Sequence, residues 1–149
     1  LIVQKAYMMQ NEGRLPIEDG WDIITVRGLS FKRFLDISVL LKKEVFVITD
    51  NDGNYAENIT HKYQDYTGHD FINICADMDN DYPTLEPQIV NENTLENINI
   101  ILGRQFDSKE EAIEFMTKSA NKTDCALKLF ETDIDWVVPQ YILNAIETE

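Results

Sequence analysis

Two carboxylates with one residue between them close a short apolar run. Asp50 and Asp52 follow Val45-Phe46-Val47-Ile48-Thr49, and Gly53 follows them. While the chain stays extended, residues two apart point to the same side. Gly53 then lets the backbone turn away at once. Paired carboxylate oxygens are the hard donors that a divalent cation takes. The same residue types also make an ordinary turn after a strand, so Asp-x-Asp-Gly alone leaves both readings open. An apolar run bounded by turn residues is the pattern of a buried parallel strand. In open α/β sheets, ligands bind beyond the carboxyl ends of such strands.

Two chemistries fit the stretch. In the first, Asp50 and Asp52 bind one divalent ion or bridge two, and Glu86 reaches a second position from a separate part of the chain. Two such ions clamp the attacking and leaving oxygens of a phosphodiester. Several carboxylates without an ion would repel one another; one like-charge pair at 4 Å costs about 4 kcal/mol at an effective dielectric near 20. Lys122 would stabilise charge on the phosphate. In the second, four apolar residues before Asp-x-Asp-Gly match a phosphotransferase signature like that of the haloacid-dehalogenase superfamily. Asp50 would then be the nucleophile and Asp52 the general acid. Thr67 or Thr84 would bind phosphate, with Lys122 as charge partner. That signature usually sits on a first strand, whereas two helices and a strand are expected ahead of it here. A non-catalytic interaction domain is the third class.

Other constellations carry less. Asp77, Asp79 and Asp81 have calcium-loop spacing, but Tyr82 stands where the loop needs Gly and Gln88 where it needs Glu. The Asp50 run fails the same test at Tyr55 and His61. His61 and His69 have no partner in the sequence for catalysis and read as surface residues. Ser30 and Ser38 lack a nucleophile motif.

The elements that must position these residues form an alternation. Leu1 to about Gln10 is an apolar helix of the kind that packs on a sheet, stopped at Asn11-Glu12-Gly13. Trp21–Val26 reads as a strand ended by Arg27-Gly28. Ser30 caps a helix from Phe31 to Lys43, and the Asp50 strand follows. A short helix is expected around Tyr55–Tyr63, and a third strand over Phe71–Ala76. The prolines of Pro83–Pro87 hold that segment extended and bias Glu86 away from helix. Helices are expected over Leu95–Leu102 and over about Lys109–Ala120, where Ser108 and Glu111 form a capping box. A further helix, capped by Thr123, runs to about Glu131. The last covers Gln140–Glu147 with Pro139 at its first position. The sum is an α/β fold with a helical C-terminal part.

A length of 149 residues suits one domain with a sizeable core. Hydrophobic residues are 44% and charged residues 27%, an ordinary globular balance. No apolar run approaches the roughly 20 residues that span a bilayer. No signal-like segment is seen, so a cytoplasmic protein with no membrane partner is expected. Cys75 and Cys125 have no zinc-ligand spacing and read as buried free thiols. The net charge of −14 opposes nucleic-acid binding unless metal, a local basic strip or a basic partner offsets it.

Three segments together resemble the Toprim nuclease domain of OLD-family (overcoming lysogenization defect) ATP-dependent endonucleases. They are Thr49-Asp50-Asn51-Asp52-Gly53, Tyr82-Pro83-Thr84-Leu85-Glu86-Pro87 and Asn121-Lys122-Thr123-Asp124-Cys125-Ala126-Leu127. Arg27–Phe34 and Val138-Pro139-Gln140-Tyr141-Ile142 fit as well, so the likeness runs nearly end to end. It implies a Toprim-like fold: a small, mostly parallel sheet flanked by helices, with about 1–90 as α/β core and about 91–149 as the helical part. It implies Asp50 and Asp52 as metal ligands, Glu86 and the Thr84 hydroxyl at the second metal, and Lys122 as a catalytic lysine. The cofactor would be Mg²⁺ or Mn²⁺, the substrate DNA, and the partners an N-terminal ATPase domain and further copies of the protein. One departure stands out. The family's Glu-Gly-x-x-Asp/Glu motif lies on a first strand just ahead of the helix that here begins at Leu1, and it is absent. Glu12-Gly13 follows a helix and is no substitute. With Leu rather than Met at position 1, this reads as a piece of a longer chain, weak or inactive alone and open at the sheet edge where the first strand would pair.

Overall fold

A computed structural model describes residues 1–26 and 31–147. Its centre is a parallel pair, β1 (Val45–Ile48) and β2 (Ile72–Cys75), in register from Val45 opposite Ile72 to Ile48 opposite Cys75. The alternation of a strand sorts side chains onto two faces. Val45, Val47, Ile72 and Ile74 meet a cluster with Leu35, Ile59, Tyr63 and Tyr66. Ile48 and Cys75 meet the other, larger cluster, built on the helices.

On the first face lies α2 (Phe31–Leu41), with Leu35 and Ser38 buried. Beside it run a π-helix (Ala56–His61) and a 3-10 turn (Gln64–Tyr66). The larger cluster joins α1 (Ile2–Gln10), α3 (Leu85–Glu92), α4 (Leu95–Leu102), α5 (Lys109–Thr117), α6 (Ser119–Glu131) and α7 (Gln140–Ile146). Of these helices, α7 packs across both strands.

Several expectations hold to the residue or nearly so. Leu95–Leu102 is a helix capped by the Thr94 hydroxyl and stopped by left-handed Gly103. Ser108 accepts from the Glu111 N–H, and Glu111 reaches back to the Asp107 N–H. Helix α1 ends as expected, with Glu12 and Gly13 both at positive φ and the Gly13 N–H on the Met8 carbonyl.

Others are corrected. The sheet has two strands among the described residues, not three. Trp21–Val26 forms no strand, and residues 22–25 are exposed. Its β-branched residues favour a strand, but a strand exists only with a ladder partner, and β1 bonds only to β2. Trp21 is anchored, its ring meeting Phe46 edge-on at 5.6 Å. Helix α1 packs mainly against α6 and α7, in the cluster that Ile48 and Cys75 of the strands join. The segment around Tyr55–Tyr63 is helical but widened to π, with the Lys62 N–H on the Glu57 carbonyl. Glu86 is helical, in the first turn of α3. Pro87 is tolerated there because a first-turn N–H has no helical partner to lose. Thr123 lies inside α6, which starts five residues earlier than expected. The corner is made by extended Lys118 and by the Asn121 amide donating to the Phe115 carbonyl at 2.8 Å. Pro139 is the N-cap of α7 and not its first residue. The strand end at Arg27-Gly28 and the Ser30 cap lie outside the described residues.

Candidate functional site

The site grows from the carboxyl end of β1. After Ile48 the ladder continues one step, with the Thr49 N–H on the Cys75 carbonyl at 3.1 Å. The chain then turns sharply: Asp52 sits at φ 50 and Gly53 at φ 78. Left-handed backbone is costly for a residue with a Cβ, so something must hold Asp52 there. Asn51 does much of this. It is fully buried, and its amide nitrogen donates to the Asp77 carbonyl at 2.9 Å and the Asp79 carbonyl at 2.8 Å. Its amide oxygen accepts the Gly53 N–H at 2.7 Å. Its own carbonyl accepts from the Asn58 side chain. The Asp52 N–H donates to the Pro83 carbonyl at 3.0 Å. The turn after β1 is thereby bolted to the loop after β2 and to the segment that starts α3.

That bolting delivers Glu86. Thr84 is the N-cap of α3, though its side chain makes no capping bond. Glu86 lies in the first turn, mostly buried, and its carboxylate takes the Lys122 ammonium at 3.0 Å. Lys122 comes from the first turns of α6. Thus three separate stretches of sequence, around residues 50, 86 and 122, meet at one end of the sheet.

Electrostatics report the same convergence. Asp50 is pushed up from the usual carboxylate range to about 6. Burial is the main cause, followed by the negative charges of Glu86 and Asp52; Lys122 and the Leu85 backbone N–H pull the other way. A carboxyl crowded by carboxylates resists ionising until a cation arrives. Burial also pushes both thiols up, which fits structural cysteines. The surface reading of the histidines holds in that His61 is exposed and His69 half-buried.

The carboxylates do not form a ready cage. Among the described residues, no three His, Cys, Asp or Glu side chains are grouped as an ion site. The donor chemistry fits a hard divalent cation: oxygen ligands only, with negative charge in excess. Asp50 and Asp52 are the residues that would hold it, with Glu86 and the Thr84 hydroxyl alongside. Thr67 is not part of this end. It precedes β2, which starts at Ile72 opposite Val45 at the start of β1, whereas Asp50 follows the other end of β1.

Two members of the neighbourhood escaped the sequence. Asn51 looked like a spacer between two acids, and only its burial shows otherwise. Tyr141, from α7, is buried with its phenol raised first by burial and then by the charges of Asp50, Asp77 and Glu86. Its place in a helix far along the chain gave no signal. With the geometry known, comparison with known proteins adds no relative: no family model, no curated protein and no solved structure matches the chain. No helix among the described residues is long and apolar enough to cross a membrane.

Proposed function

We propose that this chain is the nuclease module of a metal-dependent DNA endonuclease, Toprim-like in fold and of the OLD family in kind. The observation that supports it most is Asp50, whose carboxyl is crowded by Glu86 and Asp52 while Lys122 reaches the same place. Acids from separate segments gathered beside one ammonium suit phosphodiester hydrolysis better than a structural turn does. A bound Mg²⁺ or Mn²⁺ would supply charge for the phosphate oxygens and an activated water. The chain's own residues do the rest. Asp50 and Asp52 bind the ion, Glu86 and Thr84 serve a second position, and Lys122 offers positive charge to the phosphate. DNA is the proposed substrate. The exposed Lys32, Arg33, Lys42 and Lys43 on or just after α2 supply local positive charge against the overall charge of −14. An ATPase domain and further copies of the protein are the proposed partners, and a cytoplasmic location goes with this reading.

The test is Mn²⁺-dependent nicking of supercoiled plasmid by the protein that carries this chain. Asp50→Ala, Asp52→Ala, Glu86→Ala and Lys122→Ala should each lower the rate by about 100-fold or more, in line with lost metal or oxyanion stabilisation. Undiminished nicking by any one of them removes that residue from the site. The phosphotransferase alternative predicts instead a phosphoryl or beryllofluoride adduct on Asp50; the position of Thr67 disfavours its use there.

A further inference from the structure

The peptide unit between Asn51 and Asp52 is gripped by two outside segments. Its carbonyl accepts the Asn54 N–H at 3.1 Å, which closes a turn with both central residues, Asp52 and Gly53, at positive φ. Positive φ at both centres is the backbone of a type I′ turn, free for glycine and costly for aspartate. Asp52 is exposed, so its side chain brings little packing to offset that cost. The same carbonyl accepts the Asn58 side-chain amide at 2.9 Å. The N–H of the unit donates to the Pro83 carbonyl at 3.0 Å. Asn58 is half-buried and belongs to the widened helix Ala56–His61. The unit is therefore held at its oxygen by that helix and at its nitrogen by the segment that leads to α3.

For Asp52 to reach the cheaper negative φ, this peptide plane must rotate. Rotation carries the carbonyl away from Asn58 and Asn54, and the N–H away from Pro83. The direction of the Asp52 side chain changes with it, because φ sets where the Cβ points. We infer that Asn58 is a positioning residue for the candidate metal site: its amide locks the Asn51–Asp52 peptide plane and so holds the Asp52 carboxylate where it can share an ion with Asp50. This rests on the nuclease reading and adds to it a group that touches neither ion nor substrate.

The test is a double-mutant cycle on this chain, read by Mn²⁺ calorimetry and by the melting temperature without metal. Asn58→Ala should weaken Mn²⁺ binding about tenfold or more, as loss of a partner that orients a ligand does. In an Asp52→Ala background the same change should alter affinity by less than about twofold, because the group it positions is gone. Asn58→Leu, close in shape but without the donor, should repeat this pattern and replaces the alanine variant if that one does not fold. A purely structural Asn58 would lower melting and leave Mn²⁺ affinity alone, or weaken it equally in both backgrounds. Either result overturns the inference and spares the nuclease reading, as does failure of both variants to fold. A wild type that takes no Mn²⁺ overturns both.

Discussion

At the scale of the residue, the account turns on charge held in place against its own repulsion. Asp50 titrates near 6 in the fold, above its unfolded value, because burial and neighbouring carboxylates disfavour its ionised form. A raised folded pKa contributes stability that is present below the unfolded pKa and is lost as pH rises through the folded one. The metal-free protein should therefore lose this contribution between about pH 4 and pH 6. Asp50→Asn should be more stable than wild type at pH 7.5 by about 1 kcal/mol, a figure reduced for partial exposure, and should lose that advantage near pH 4. Urea unfolding in EDTA at both pH values checks it; an advantage that does not depend on pH contradicts the assigned cause. Lys122→Ala strips a mostly buried Glu86 of its cation and should cost about 1–3 kcal/mol in the same assay. No change would mean that Glu86 finds water as readily as the ammonium.

At the scale of the element, Asn51 ties together the turn after β1 and the loop after β2. Only an amide both donates to two carbonyls and accepts from an N–H at one position. Asn51→Asp replaces those donors with a buried charge and should destabilise by about 3 kcal/mol or more. Thermal melting within a degree of wild type would show that the bolt is not needed. This element also shows what could be read beforehand. The β1 strand, the acids that end it and helix α4 were legible because each follows from local pattern: an apolar run, a turn, a cap. Trp21–Val26 was misread because strand preference is local but pairing is not. Glu86 was misread because the bias of a pre-proline residue away from helix is a local preference, and the packing of α3 overrides it. The meeting of Glu86 with Lys122 depends on the corner at Lys118–Asn121, which no periodicity announces; those residues were joined to Asp50 by the chemistry of a two-metal site and by the family resemblance, not by local pattern.

At the scale of the molecule, a two-stranded sheet separates two apolar clusters, and its carboxylate end gathers segments from both halves of the sequence. Among the described residues the backbone of β1 bonds to β2 on one side only, and Ile24 at 62%, Leu40 at 82% and Leu41 at 64% exposure leave large apolar groups in water. Such edges and patches recruit other chains. Sedimentation velocity on residues 1–149 should show concentration-dependent association; a sharp monomer across a hundredfold concentration range would contradict it. The central claim is narrower: acids 50, 52 and 86 were brought together to bind a divalent ion. Calorimetric titration of Mn²⁺ into this chain at pH 7.5 tests that most directly. Saturable binding should appear in wild type and weaken at least tenfold in Asp50→Ala and Asp52→Ala. No binding by wild type, or equal binding by all three, would contradict the account.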